Sequence, residues 1–174
     1  MVHSVELLLD PQSESAIRKI WDQLSGMGLR SPRPDSRPHV TLVVSEHLPL
    51  AVDALLGPLC GRLPVGCVVG APMLFGSASL ILVRLVVPSA QLLEIHREAH
   101  RICAPHATPR LADNSAPGRW TPHVTLARRV DPAELARVMT NRRIGRDIDA
   151  RVVGLRHWDG TRRLEHVIDP PRST

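Results

Sequence analysis

The pentapeptide Pro38-His39-Val40-Thr41-Leu42 recurs unchanged as Pro122-His123-Val124-Thr125-Leu126, 84 residues later, in a chain of 174. At the same offset Val68-Val69-Gly70 falls on Val152-Val153-Gly154, Gly76 on Gly160, Leu80 on Leu164 and Val83 on Val167. Ungapped matches over this distance mark an internal duplication, and a chain written twice is expected to build two similar lobes.

Periodicity gives both copies the same order of elements. In the first, residues 2–9 form an apolar, β-rich run. Ala16, Ile17, Ile20, Trp21 and Leu24 then recur at helical spacing, with Ser13 as candidate cap and Gly28 as candidate stop. The first motif strand covers 38–44. Residues 49–60 read as a helix presenting Val52, Leu55, Leu56 and Leu59 on one face, and strands over 65–75 and 79–87 turn at Gly76-Ser77. The second copy has a helix over 89–103, the motif strand over 121–128 and a helix over 132–139 capped by Asp131. Strands over 150–158 and 162–168 follow, joined at the hairpin signal Asp159-Gly160. Residues 104–119 are the one long irregular segment. The expected fold is α+β, bilobal and internally duplicated, with two largely antiparallel sheets flanked by helices around a central cleft. It is read as a single domain over 1–174.

Composition narrows the function. At 43% hydrophobic and 22% charged the chain has the makings of a packed core. Phe75, Trp21, Trp120 and Trp158 are the full aromatic set, which argues against serial stacking of single-stranded bases. A net charge of +5 favours anionic partners. Cys60, Cys67 and Cys103 lack paired close spacing and read as reduced thiols, not as a disulfide frame or zinc site. Residues 1–6 lack the basic start of a signal peptide, and no apolar run is long enough to span a bilayer. A cytoplasmic, soluble monomer is expected, with no membrane association and no obligate protein partner.

Side chains two apart on a strand share a face. His39 with Thr41, and His123 with Thr125, therefore each present an imidazole beside a hydroxyl, while Val40, Leu42, Val124 and Leu126 point to the helix-covered side. If an approximate two-fold relates the lobes, the pairs face one another across the cleft, in a site of two imidazoles and two hydroxyls with no carboxylate of its own. That inventory suits in-line displacement at phosphorus. One imidazole accepts a proton from the attacking oxygen, the other protonates the departing oxygen, and the hydroxyls hold non-bridging oxygens. A lone His-x-Thr in a strand is common; its recurrence inside an identical five-residue repeat favours function. The two motifs are locally identical, so the donor and acceptor are not distinguished by sequence.

These two motifs, with the longer stretch Trp120-Thr121-Pro122-His123-Val124-Thr125-Leu126-Ala127-Arg128, resemble the paired signatures of the two-histidine (2H) phosphoesterases, specifically the 2′-5′ RNA ligase-like branch. The resemblance implies metal-free, ATP-independent chemistry on 2′,3′-cyclic phosphates of RNA 3′ ends or nucleotides, with hydrolysis to 2′-phosphates and, in some relatives, reversible 2′-5′ ligation. It implies His39 as proton donor, His123 as acceptor, Thr41 and Thr125 as phosphate clamps, and Arg128 as a phosphate contact. Trp120 takes the family's aromatic position, where it either stacks on a base or packs in the cleft wall. No cofactor and no metal ligand is expected. A non-catalytic module that binds nucleotides or RNA ends, and a phosphodiesterase for a small metabolite, are the alternative readings.

Arg30, Arg33, Arg37, Arg110 and Arg119 flank the motif strands and could form a phosphate-tracking rim. Glu6 interrupts an apolar strand and either faces the cleft, where it would tune a histidine, or sits at an exposed strand edge. His96 and His100 sit one helical turn apart, a spacing that can hold zinc, but no third ligand is evident and a solvated helix face is expected.

Overall fold

The computed structural model describes residues 2–77 and 79–170, the side chains of residues 142 and 143 excepted; residues 1, 78 and 171–174 of the expected 1–174 span lie outside it. In chain order the elements are β1 (His3–Leu9), α1 (Pro11–Gly26), β2 (His39–His47), α2 (Val52–Cys60), β3 (Val65–Phe75), β4 (Leu80–Val86) and α3 (Ala90–Cys103). They continue with β5 (Thr108–Leu111), β6 (His123–Val130), α4 (Pro132–Met139), α5 (Arg142–Gly145), β7 (Ile148–Asp159) and β8 (Leu164–Ile168). The motif strands begin at their histidines because the preceding prolines have no N–H for the ladder. No helix among the described residues is long and apolar enough to cross a membrane.

The duplication is written into the strand pairing. The sheet runs β5-β2-β1-β7-β3-β4-β6, with β8 pairing on β7. The unit β1-α1-β2-α2-β3 recurs as β4-α3-β6-α4-β7, and the sheet order is symmetric about the β7–β3 pair. Val65 faces Val152; carrying both through the 84-residue repeat gives Asp149 facing Val68, which is also observed, and Gly66–Arg151 maps likewise onto Ala150–Cys67. A pseudo-two-fold therefore passes through the middle of this ladder.

One consequence departs from a simple two-lobe reading. Each half of the sheet takes two strands from one copy and its third from the other, β7 beside β1 and β3 beside β4. The length of β7 permits this. Residues 148–152 pair with β3, while 152–159 pair with β1 and 155–159 with β8. The irregular segment also contributes β5, which pairs with the outer edge of β2 through Ser45–Leu111 and His47–Thr108.

Helices α1 and α3 cover the face away from the cleft, where Val40, Leu42, Val124 and Leu126 are buried with Ile17, Leu24, Ile95 and Ala99. Leu55 of α2 was placed on the buried face by periodicity and is 50% exposed. His157 of β7 lies on the helix-covered side, its Nδ1 2.7 Å from Asp53 of α2 and its Nε2 3.2 Å from Nδ1 of His3.

The cap of α1 is Asp10, not Ser13. Its Oδ1 accepts from the N–H groups of Gln12 and Ser13 at 3.0 Å, and Pro11 occupies the first turn. Oδ2 accepts from the Ser13 hydroxyl at 2.6 Å and from the Arg151 N–H at 2.8 Å. Burial opposes ionisation here, but these hydrogen bonds outweigh it and hold the carboxyl below its usual range. A lowered carboxyl value stabilises the fold above the unfolded-state value of about 3.9. That stability is lost as the pH falls through the lowered folded value. Asp10→Ala is expected to cost about 1–2 kcal/mol at neutral pH, with the difference closing in acid. Urea unfolding at pH 7 and near pH 2.5 checks both.

Candidate active site

A β-bulge shapes each motif strand. In β2 the register jumps from Val5–Val43 to Glu6–Thr41, leaving Leu42 without a partner; in β6 it jumps from Leu82–Ala127 to Val83–Thr125, leaving Leu126. The bulge falls on the same motif residue in both copies, directly after the threonine, and burial changes phase there. Strict alternation would turn Arg128 away from His123 and Thr125. The extra residue re-aims it, and Arg128 lines the cleft with Thr125 and His39.

The motif strands β2 and β6 approach each other across the cleft. Two indoles tie them together. Trp120 Nε1 donates to the carbonyl of Thr41 at 2.9 Å, and Trp21 Nε1 on α1 donates to the carbonyl of Thr125 at 2.9 Å. One face of Trp120 is taken by His96 of α3, stacked at 4.0 Å with an interplanar angle of 1°. Trp120 thus stands in the wall behind Thr41. His96 is 2% exposed and donates from Nε2 to the carbonyl of Ser115, so it does not belong to a solvated helix face. No cluster of metal-ligating side chains occurs among the described residues.

Both imidazoles meet a backbone carbonyl two residues back, and Nδ1 of His39 also has Nη2 of Arg156 at 3.2 Å. Nδ1 of His39 donates to the carbonyl of Arg37 at 2.7 Å, and Nδ1 of His123 to the carbonyl of Thr121 at 2.7 Å. A carbonyl only accepts, so the hydrogen of each neutral ring sits on Nδ1 and Nε2 is left for chemistry. The hydroxyls of Thr41 and Thr125 make no hydrogen bond among the described residues. Burial holds His123 below the usual imidazole range; the Thr121 bond opposes this, and the positive charges of His39 and Arg128 add to it.

Around these matched parts the halves differ. Glu6 does face the cleft, 3% exposed, with Oε1 3.5 Å from Nε2 of His39. Its Oε2 pairs with Arg156 at 2.6 Å, and Arg156 in turn binds Glu165 of β8. The expectation of a site without a carboxylate is therefore corrected. In the other half Val83 stands where Glu6 stands, and the edge of Phe75 meets the His123 ring at a centroid distance of 4.7 Å.

The cavity beside His39 has a volume of about 620 Å³. Arg30, Arg33, Arg37, Arg128, Arg156 and Arg163 line it. Arg37 is shared between Glu14 and Glu165, whereas Arg30, Arg33, Arg128 and Arg163 have no ion pair among the described residues. Arg110 pairs with Asp113 away from this cavity, and Arg119 does not line it. Sequence reading did not find Arg156, Trp158, Arg163, Glu165 or Phe75. Arg156 and Trp158 share a strand face, but that face meets β1 only through the exchanged strand.

The fold and the pattern of residues agree with comparisons to known proteins. The profile of the 2'-5' RNA ligase superfamily matches residues 9–162. Among solved structures, TT0787 of Thermus thermophilus is similar with a TM-score of 0.63 and 18% identity, covering 97% of this chain and 96% of that one. LigT of E. coli in its apo form is similar with a TM-score of 0.56 and 15% identity, covering 98% and 94%. A search of curated proteins found no match. The family profile spans most of the chain, both motifs included, and the protein belongs to the 2'-5' RNA ligase superfamily of two-histidine phosphoesterases.

Proposed function

We propose that the protein hydrolyses 2′,3′-cyclic phosphate ends of RNA or nucleotides to 2′-phosphates by two-histidine acid–base catalysis. The observation that carries this reading is the pair of imidazoles with Nδ1 committed to a carbonyl and Nε2 without a hydrogen bond among the described residues, each beside a threonine hydroxyl that likewise makes none there, on facing strands. LigT of E. coli, which shares the fold, has been solved with 3'-AMP and with phosphate.

Water attacks phosphorus as Nε2 of His123 takes its proton; the bond from phosphorus to the 3′ oxygen breaks as Nε2 of His39 protonates that oxygen. A 2′-phosphate and a 3′-hydroxyl result, and one proton passing from His123 to His39 restores the resting state. A 5′-hydroxyl in place of water forms a 2′-5′ linkage by the same transfers. Thr41 and Thr125 donate to the non-bridging oxygens, whose charge grows in the transition state. Arg128 and the arginines beside it that have no ion pair among the described residues suit an RNA end, and we take the protein to act as a monomer in the cytoplasm.

The test is hydrolysis of a nucleoside 2′,3′-cyclic phosphate in excess EDTA, with the product identified by ³¹P NMR. A 2′-phosphate supports the reading. Tight product binding with no turnover across nucleotide and RNA substrates would make the cleft a binding module instead. Activity needs His123 neutral, so the rate should rise as the pH climbs through its lowered value. The acid limb of kcat/KM is expected below pH 6.5, the ordinary imidazole value; a limb above it would contradict the burial of His123. Arg128→Ala should cut kcat/KM by about tenfold, the effect of losing one charged hydrogen bond, measured in the same assay.

A further inference from the structure

We infer that Glu6, held by Arg156, is the positioning residue that keeps a proton on Nε2 of His39 and so makes His39 the proton donor of the reaction. This rests on the two-histidine reading of the cleft. The motifs themselves are identical in sequence, in the carbonyl each Nδ1 meets and in bulge, so whatever distinguishes the two histidines must come from outside them.

The charged groups about His39 are Glu6 on β1, Arg37 in the preceding loop, Arg156 on β7, Glu165 on β8, and His123 and Arg128 on β6. Among the described residues Glu6 is the one carboxylate within 4.0 Å of the ring, and it lies on the Nε2 side. Nδ1 already donates its hydrogen to the Arg37 carbonyl, and the Arg156 guanidinium, 3.2 Å from that nitrogen, has its charge offset by the two carboxylates it pairs with, Glu6 and Glu165. A carboxylate facing Nε2 is favourable only when that nitrogen carries a hydrogen too, which is the imidazolium, the form an acid needs. Arg156 fixes the carboxylate from the other side through Nε at 2.7 Å and Nη2 at 2.6 Å, and the Ser4 hydroxyl donates to Oε1 at 2.6 Å. Glu6 therefore cannot swing toward solvent without leaving Arg156 partly unpaired in a buried position.

His123 has no such neighbour among the described residues. Val83 occupies the position of Glu6, Met73 pairs with Val83 from β3, and Phe75 lies against the ring. These apolar groups favour the neutral ring, the form a base needs. The copies kept the same chemistry and diverged one strand away.

The first readout is the free protein: ¹H–¹⁵N spectra of the histidine side chains between pH 5 and 9, assigned with His39→Ala and His123→Ala. The expected result is that His123 releases its second proton before His39 as the pH rises, and that Glu6→Gln brings the release from His39 down by about one pH unit. The inference is overturned if His39 releases first in the wild type, or if Glu6→Gln leaves it unmoved. The second readout is kcat/KM against pH with a nucleoside 2′,3′-cyclic phosphate. Glu6→Gln should move the alkaline limb acidward, with about a tenfold loss at pH 8 that is recovered near pH 6. A uniform loss at every pH would reduce Glu6 to a structural role. Should Glu6→Gln fail to fold, the wild-type order of release still decides. Should the wild type turn over no cyclic phosphate, the proposed activity fails while the spectra go on testing Glu6.

Discussion

Alanine at His39 or at His123 is expected to lower kcat/KM for a nucleoside 2′,3′-cyclic phosphate by about 10²–10⁴-fold, the usual worth of one placed acid or base. The double variant should be little worse than the poorer single one. A displacement that needs both proton transfers gains little from one of them alone, and groups that work as a unit lose their effects non-additively. Neither ring is a fully buried packing element, and each sits at the start of its motif strand with a bond to the preceding loop. The substitutions should therefore leave the thermal midpoint nearly unchanged. Steady-state kinetics and a thermal melt, run together, check both parts.

The largest expected effect on stability lies elsewhere, at Arg84. The register of β3 against β4 breaks between Val69 and Pro72, where proline has no N–H to offer, and Gly70 and Ala71 have no register partner on β4. Arg84, 0% exposed, fills the gap from β4. Its guanidinium donates to the carbonyls of Val69 at 2.8 Å, Gly70, Ile144 and Arg146 (the last at 2.9 Å), stitching α5 and the residue after it to the bulge. Arg84→Met keeps most of the volume and removes every donor. Four buried or half-buried carbonyls then lose a partner, at about 1–3 kcal/mol each when fully unsatisfied. Part of that is regained by water and relaxation, so a net loss of about 3–5 kcal/mol is expected, a fall of about 10 °C in the melting midpoint. Circular dichroism melts measure it. A variant melting within about 2 °C of the wild type would show that these carbonyls find other partners at no cost.

What the sequence made legible followed from its repetition. Two copies of His-x-Thr on strands fix which side chains share a face, and the burial of Val40, Leu42, Val124 and Leu126 bears this out. Asp131 caps α4 through the N–H of Ala133, as its position before a proline suggests. Asp10 carries the same Asp-Pro signal, but the apolar period starts later and points to Ser13. Other features have no local signature. Thr108–Leu111 shows no alternation and is a strand only because β2 offers it an edge. A bulge adds one residue without altering composition, so the turn of Arg128 toward the cleft is invisible until the register is known. Glu6 and Arg156 are opposite charges directly across a ladder, but they stand at opposite ends of the chain and meet through an exchanged strand.

A crystal structure of the protein with inorganic phosphate bound tests most directly whether the two motifs serve one phosphorus centre. Nε2 of His39, Nε2 of His123 and the hydroxyls of Thr41 and Thr125 should all lie within hydrogen-bond distance of oxygens on a single phosphate. A phosphate that engages one motif and leaves the other histidine out of reach would contradict it.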